Sequence, residues 1–70
     1  MEISRHAKNK LRHLKVTAEE IGNALARPDS KLVGPDGKPN ALATVRDMLL
    51  HIVYVVENDD VVVVTVWREK

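Results

Sequence analysis

Cysteine is absent from this 70-residue chain, so disulfide staples and thiolate metal sites are excluded and packing alone must hold the fold. That composition suits a reducing cytoplasm. Phenylalanine is also absent, and the aromatic residues reduce to Tyr54 and Trp67. Sheets that read RNA bases usually present several aromatics together, so these two point first to an interface. Glycine and proline number three each, and no glycine-rich loop precedes a helix. A P-loop or dinucleotide fingerprint is thereby excluded, because Gly34 and Gly37 fall in a turn between strands. No apolar run approaches the roughly 18 residues of a membrane helix, and Met1 to His6 carries no hydrophobic leader core. A cytoplasmic location without membrane contact is expected. His6 and His13 stand about 10 Å apart along a helix rising 1.5 Å per residue, with no carboxylate nearby, so no metal is expected. Ser4 and Ser30 lack an elbow context, which argues against a serine hydrolase. No cofactor is expected.

What the chain does have is concentrated in its C-terminal half. Met48 to Val56 and Val61 to Trp67 are apolar at successive positions as well as alternate ones. Pairing them about a turn at Asn58 and Asp59 groups Val53, Val55, Val62, Val64 and Val66 on one face. Ile52, Tyr54, Val56, Val61, Val63 and Trp67 then share the other. Helices upstream can cover one face only. A small domain buries about 60% of its unfolded surface, so a partner on the second face would add stability. Tyr54, Val63 and Trp67 are the expected interface residues, in a homo-oligomer or a hetero-complex.

The N-terminal half reads as two helices. Ser4 is an N-cap for a first helix to about Leu14, with Ala7, Leu11 and Leu14 as its apolar stripe. Thr17-Ala18-Glu19-Glu20 is a capping box opening a second helix, flanked by Val16 and Ile21 as a hydrophobic staple and stopped before Pro28. Lys31 to Val33 reads as a first strand, Gly34-Pro35-Asp36-Gly37 as a turn, and Asn40 to Arg46 as a second strand. The expected fold is one α+β domain over residues 1–70, with two N-terminal helices on one face of a four-stranded antiparallel meander.

Charge is distributed unevenly. The chain carries a net +1, yet residues 1–16 hold Arg5, Lys8, Lys10, Arg12 and Lys15 against Glu2 alone, leaving −3 for the remainder. Arg5, Lys8, Arg12 and Lys15 form the outward stripe of the first helix, a candidate surface for phosphate. His6, Lys10 and His13 share a flank, since steps of four and three residues return to nearly one angle. Histidine can move a proton while lysine or arginine stabilises phosphate charge, so His6, Lys10 and Arg46 form the candidate catalytic set for RNA cleavage. His51, inside an apolar strand, reads as a core or interface histidine.

Ser4-x-His6-Ala7 opening a basic helix, a second helix closing in Pro28-Asp29, and a last strand reading Val61-Val62-Val63-Val64-Thr65-Val66 resemble a small bacterial and archaeal domain-of-unknown-function family. That family is grouped with the RelE/ParE-like toxin superfamily, which includes BrnT-like toxins. The resemblance implies helices packed on a curved antiparallel sheet, and an antitoxin protein as partner. It also implies activity as a ribosome-dependent RNA endonuclease or as an inhibitor of a nucleic-acid enzyme. A non-catalytic partner-binding or self-associating module is the alternative, because fold alone does not fix activity. Superfamily ribonucleases often carry catalytic groups near the last strand, where Arg68-Glu69-Lys70 reads only as a charged tail.

Overall fold

The computed structural model describes residues 1–69; Lys70, the end of that tail, lies outside them. The elements run β1 (Glu2–Ile3), α1 (Arg5–Leu14), α2 (Ala18–Ala26), β2 (Ser30–Val33), β3 (Pro39–Val45), β4 (Met48–Glu57) and β5 (Asp60–Arg68). They form an α+β fold on a five-stranded sheet ordered β1-β5-β4-β3-β2.

The expected four-stranded antiparallel meander is corrected by β1, which pairs in parallel with β5 through Glu2 with Val62 and Ile3 with Val63. The sheet is therefore mixed. Strands β2 to β5 do run antiparallel in chain order. A two-residue strand shows no alternation that sequence periodicity can detect. Here it is held by its surroundings: the Met1 amino group lies 2.8 Å from Asp60 Oδ1, and the Ser4 amide donates to the Val63 carbonyl at 2.9 Å.

Ser4 then does two jobs at the start of α1. Its Oγ accepts from the Ala7 amide at 3.0 Å, capping the helix, and donates to the Val64 carbonyl at 2.8 Å, tying the cap to β5. Lys15 ends α1 in a left-handed conformation at φ 59°. The capping box at Thr17 is complete, with Glu20 N donating to Thr17 Oγ1 at 3.1 Å and Thr17 N to Glu20 Oε1 at 3.0 Å.

Both helices lie on one sheet face. Ala7, Leu11, Val16, Ile21 and Ala24 meet Ala43, Val45, Leu50, Ile52, Val63 and Val66 in one core. Asn58 and Asp59 turn the β4–β5 hairpin with φ of 50° and 63°, the left-handed pair a two-residue type I′ turn requires.

Beyond that turn the expected register fails at one point. Tyr54 pairs with Val63, but Val53 pairs with Thr65, leaving Val64 as an extra residue in β5. Such a bulge reverses the inward and outward positions of everything past it. Val66, opposite Ile52, is therefore fully buried, and Trp67, opposite His51, moves to the uncovered face. Two sequence-based assignments change as a result. Val63, expected at an interface, is 0% exposed in the core, and Tyr54 no longer shares a face with Trp67.

Candidate functional site

The face of the sheet away from the helices carries a groove of about 380 Å³. It crosses three strands. The β2–β3 loop, from Gly34 to Lys38, borders one side; Asn40 and Val53 line its middle; Val64, Thr65 and Trp67 border the other. Because of the bulge, adjacent residues Val64 and Thr65 both reach it.

The loop is built to lie close over the sheet. Gly34 donates to the Lys38 carbonyl at 2.8 Å and accepts from Gly37 at 2.9 Å, while Gly37 holds φ 82°. A Cβ on Gly34 would come within 2.8 Å of Asn40 Nδ2, so only glycine lets the loop close over that buried amide.

Beneath the loop runs a continuous chain of polar contacts. Asn40 Nδ2 donates to the Lys38 carbonyl at 2.8 Å, which turns Oδ1 toward His51 Nε2, a direct hydrogen-bond partner. On the other side of the ring, His51 Nδ1 meets Glu69 Oε1 at 2.8 Å. Trp67 Nε1 donates to the same oxygen at 3.2 Å. The indole and imidazole stack with centroids 4.2 Å apart and planes inclined by 17°. Glu69 is fixed by its amide, which donates to the Leu49 carbonyl at 2.8 Å.

At the β5 side of the groove, His6 Nε2 lies 3.0 Å from Thr65 Oγ1. Thr65 thus lines the groove and orients the imidazole carried by the first turn of α1. That bond engages Nε2 and leaves Nδ1 for proton exchange. Lys10 stands one turn further along α1 and is exposed.

Arg46, the third member of the expected catalytic set, is held elsewhere. Its Nη2 donates to the Lys15 carbonyl at 2.6 Å and its Nη1 lies 3.4 Å from Glu20 Oε2. It pins the β3–β4 turn, where its own φ is 54°, to the junction of the two helices at the far end of α1 from His6.

Arg5, Lys8, Arg12 and Lys15 are all exposed. None of the four forms an ion pair among the described residues. Lys8 and Arg12 flank a shallow apolar groove that also includes Ile3, Leu11 and Val16. Trp67, which lines the groove on the uncovered sheet face, is 40% exposed. No group of three or more acidic or histidine side chains with metal-binding spacing occurs among the described residues, and none of their helices is long and apolar enough to cross a membrane.

Sequence reasoning missed Thr65, Asn40, Lys38 and Glu69 as site residues. Thr65 reaches the site only because of the bulge, and a bulge carries no local sequence signal here. Glu69 reads in the sequence only as part of a charged tail, yet it joins His51 to Trp67. Comparison with known protein families, curated proteins and solved structures finds no significant match to this chain.

Proposed function

We propose that this chain is a cytoplasmic toxin-type protein that cleaves RNA in the groove on the uncovered sheet face. The carrying observation is the 3.0 Å contact between His6 and Thr65 at the edge of that groove. A threonine hydroxyl fixes the ring of an exposed histidine, and a histidine so oriented suits proton transfer near neutral pH. His6 takes the proton from an RNA 2′-hydroxyl as that oxygen attacks the adjacent phosphorus. The bond to the 5′-oxygen breaks, leaving a 2′,3′-cyclic phosphate, and the departing 5′-oxygen takes a proton from water. Lys10, next to His6 on α1, supplies positive charge to the phosphate. Trp67 offers a flat face on which one unpaired base can stack, worth about 1–3 kcal/mol. The basic stripe of α1 holds the flanking backbone without regard to sequence.

Expression in a bacterial host tests this reading. Wild-type chain should slow growth and translation, and His6→Ala should relieve both while leaving the circular-dichroism spectrum unchanged. Harmless wild-type expression would end the proposal.

A second reading is favoured by a separate observation. The uncovered face bears half-buried Val53, Val55, Val62 and Val64, and the edge strand β2 leaves Val33 79% exposed. A non-catalytic module would use these surfaces for a second copy or for an antitoxin-like partner. Sedimentation at low micromolar concentration separates the two readings when combined with the growth assay. A self-associating but harmless protein belongs to the second.

A further inference from the structure

His51 is enclosed by acceptors on both sides. Asn40 cannot present its amide nitrogen to the ring, because that nitrogen donates to the Lys38 carbonyl at 2.8 Å. Its Oδ1 therefore faces His51 Nε2. Glu69 Oε1, 2.8 Å from Nδ1, is a carboxylate oxygen already accepting from Trp67. A neutral imidazole has one N–H and one lone pair, so it can satisfy only one of these partners and turns its lone pair on the other. The doubly protonated ring satisfies both. It also places a cation 4.2 Å from the indole centroid, well within the range of a favourable cation–π contact.

We propose that His51 is a proton-dependent clamp for Trp67. As a cation donating from both nitrogens, it locks the indole and Glu69 along the groove, and loss of its proton releases that wall. His51 touches no substrate in this account; it acts as a positioning residue through Trp67. The charged groups around it fit the assignment. Glu69, following β5, is the charged side chain hydrogen-bonded to the ring. The nearby loop contributes Asp36 and Lys38, which pair with each other at 3.6 Å and offset one another's charge. The ring's other hydrogen-bonding neighbour, Asn40, is neutral and 5% exposed.

Trp67 is the single tryptophan of the chain, so its fluorescence reports the clamp without any ligand. A protonated imidazole stacked on an indole quenches its emission, and release of the proton restores it. Titration from pH 5 to 9 should give a one-proton rise in emission. His51→Gln should abolish the rise, whereas His6→Gln should retain it. In the unmodified protein, imidazole nitrogen–proton correlations should show both His51 nitrogens protonated below the step and one above it, which keeps the test decisive if His51→Gln fails to fold.

A pH-independent emission, a step surviving in folded His51→Gln, or a singly protonated ring on the acidic side would overturn the proposal. Affinity for a short single-stranded RNA, measured across the same range, should fall as the emission rises. If the fluorescence step occurs but the RNA does not bind at any pH, the clamp stands and the RNA reading fails.

Discussion

His6 Nε2 and Thr65 Oγ1 lie 3.0 Å apart although fifty-nine positions separate them in the chain. Three features bring them together: the Ser4 cap bonded to the Val64 carbonyl, the parallel pairing of β1 with β5, and the bulge that turns Thr65 toward the groove. Thr65→Val keeps the shape of the side chain and removes the hydroxyl. It should lower RNA cleavage about tenfold or more while lowering the thermal midpoint by no more than about 4–8 °C, because the lost hydrogen bond is exposed and contributes only about 1 kcal/mol. Cleavage rate and melting curve, measured on the same preparation, check this.

The two valines beside the bulge should respond in opposite ways to charge. Val63 is fully buried beneath the helices, so Val63→Asp should unfold the domain, at a cost of several kcal/mol. Val64, at the groove, is half-buried on the uncovered side, and Val64→Asp should leave a folded protein with impaired association or binding. Circular dichroism and sedimentation of the pair check which face the helices cover. Val66→Asp checks the bulge itself: fully buried Val66 should respond as Val63 does, whereas without the bulge register would put it on one face with Val64.

Legibility in the sequence followed the range of each interaction. Both helix caps and the type I′ hairpin turn depend on residues within three or four positions of each other, and they were readable. The composition of the α1 faces was readable for the same reason: Ala7 and Leu11 are buried, while Arg5, Lys8 and Arg12 are exposed. The short strand β1 and the bulge at Val64 depend on contacts some sixty residues away, such as Ser4 with Val64. Neither leaves a local pattern. In the candidate site, helical spacing groups His6 with Lys10, Arg46 lies at the other end of α1, and Thr65 and Glu69 enter only through the tertiary structure.

Salt should weaken nucleic-acid binding in proportion to the phosphates contacted by Arg5, Lys8, Arg12 and Lys15. The slope of log affinity against log salt should be about −0.7 per phosphate for a single strand. Each alanine substitution in the stripe should reduce its magnitude by roughly that amount, across all sequences alike. Fluorescence anisotropy between low and physiological salt measures the slope.

Acid should loosen the β1 edge. The hydrogen bond from the Met1 amino group to Asp60 holds that carboxyl below the ordinary aspartate range; dehydration opposes it, and the Val61 amide and the amino group's charge add smaller lowering effects. A lowered folded value means that the contribution is complete above the ordinary aspartate range and is lost as pH falls through the folded value. Acetylating the amino terminus should return the Asp60 titration, followed by carboxyl carbon NMR, toward the ordinary range. An unchanged titration would mean that the amino group does not set it.

The central claim is that an oriented His6 drives cleavage of RNA through its own 2′-hydroxyl. The most direct measurement adds the purified protein and end-labelled RNA to a bacterial translation extract, where both free and ribosome-bound RNA are present, and identifies the product ends. The expected result is fragments ending in 2′,3′-cyclic phosphate, lost when the cut site carries a single 2′-deoxy substitution and reduced about 10²- to 10⁴-fold by His6→Ala. Intact RNA with the wild-type protein, or cutting that His6→Ala leaves at full rate, would contradict it.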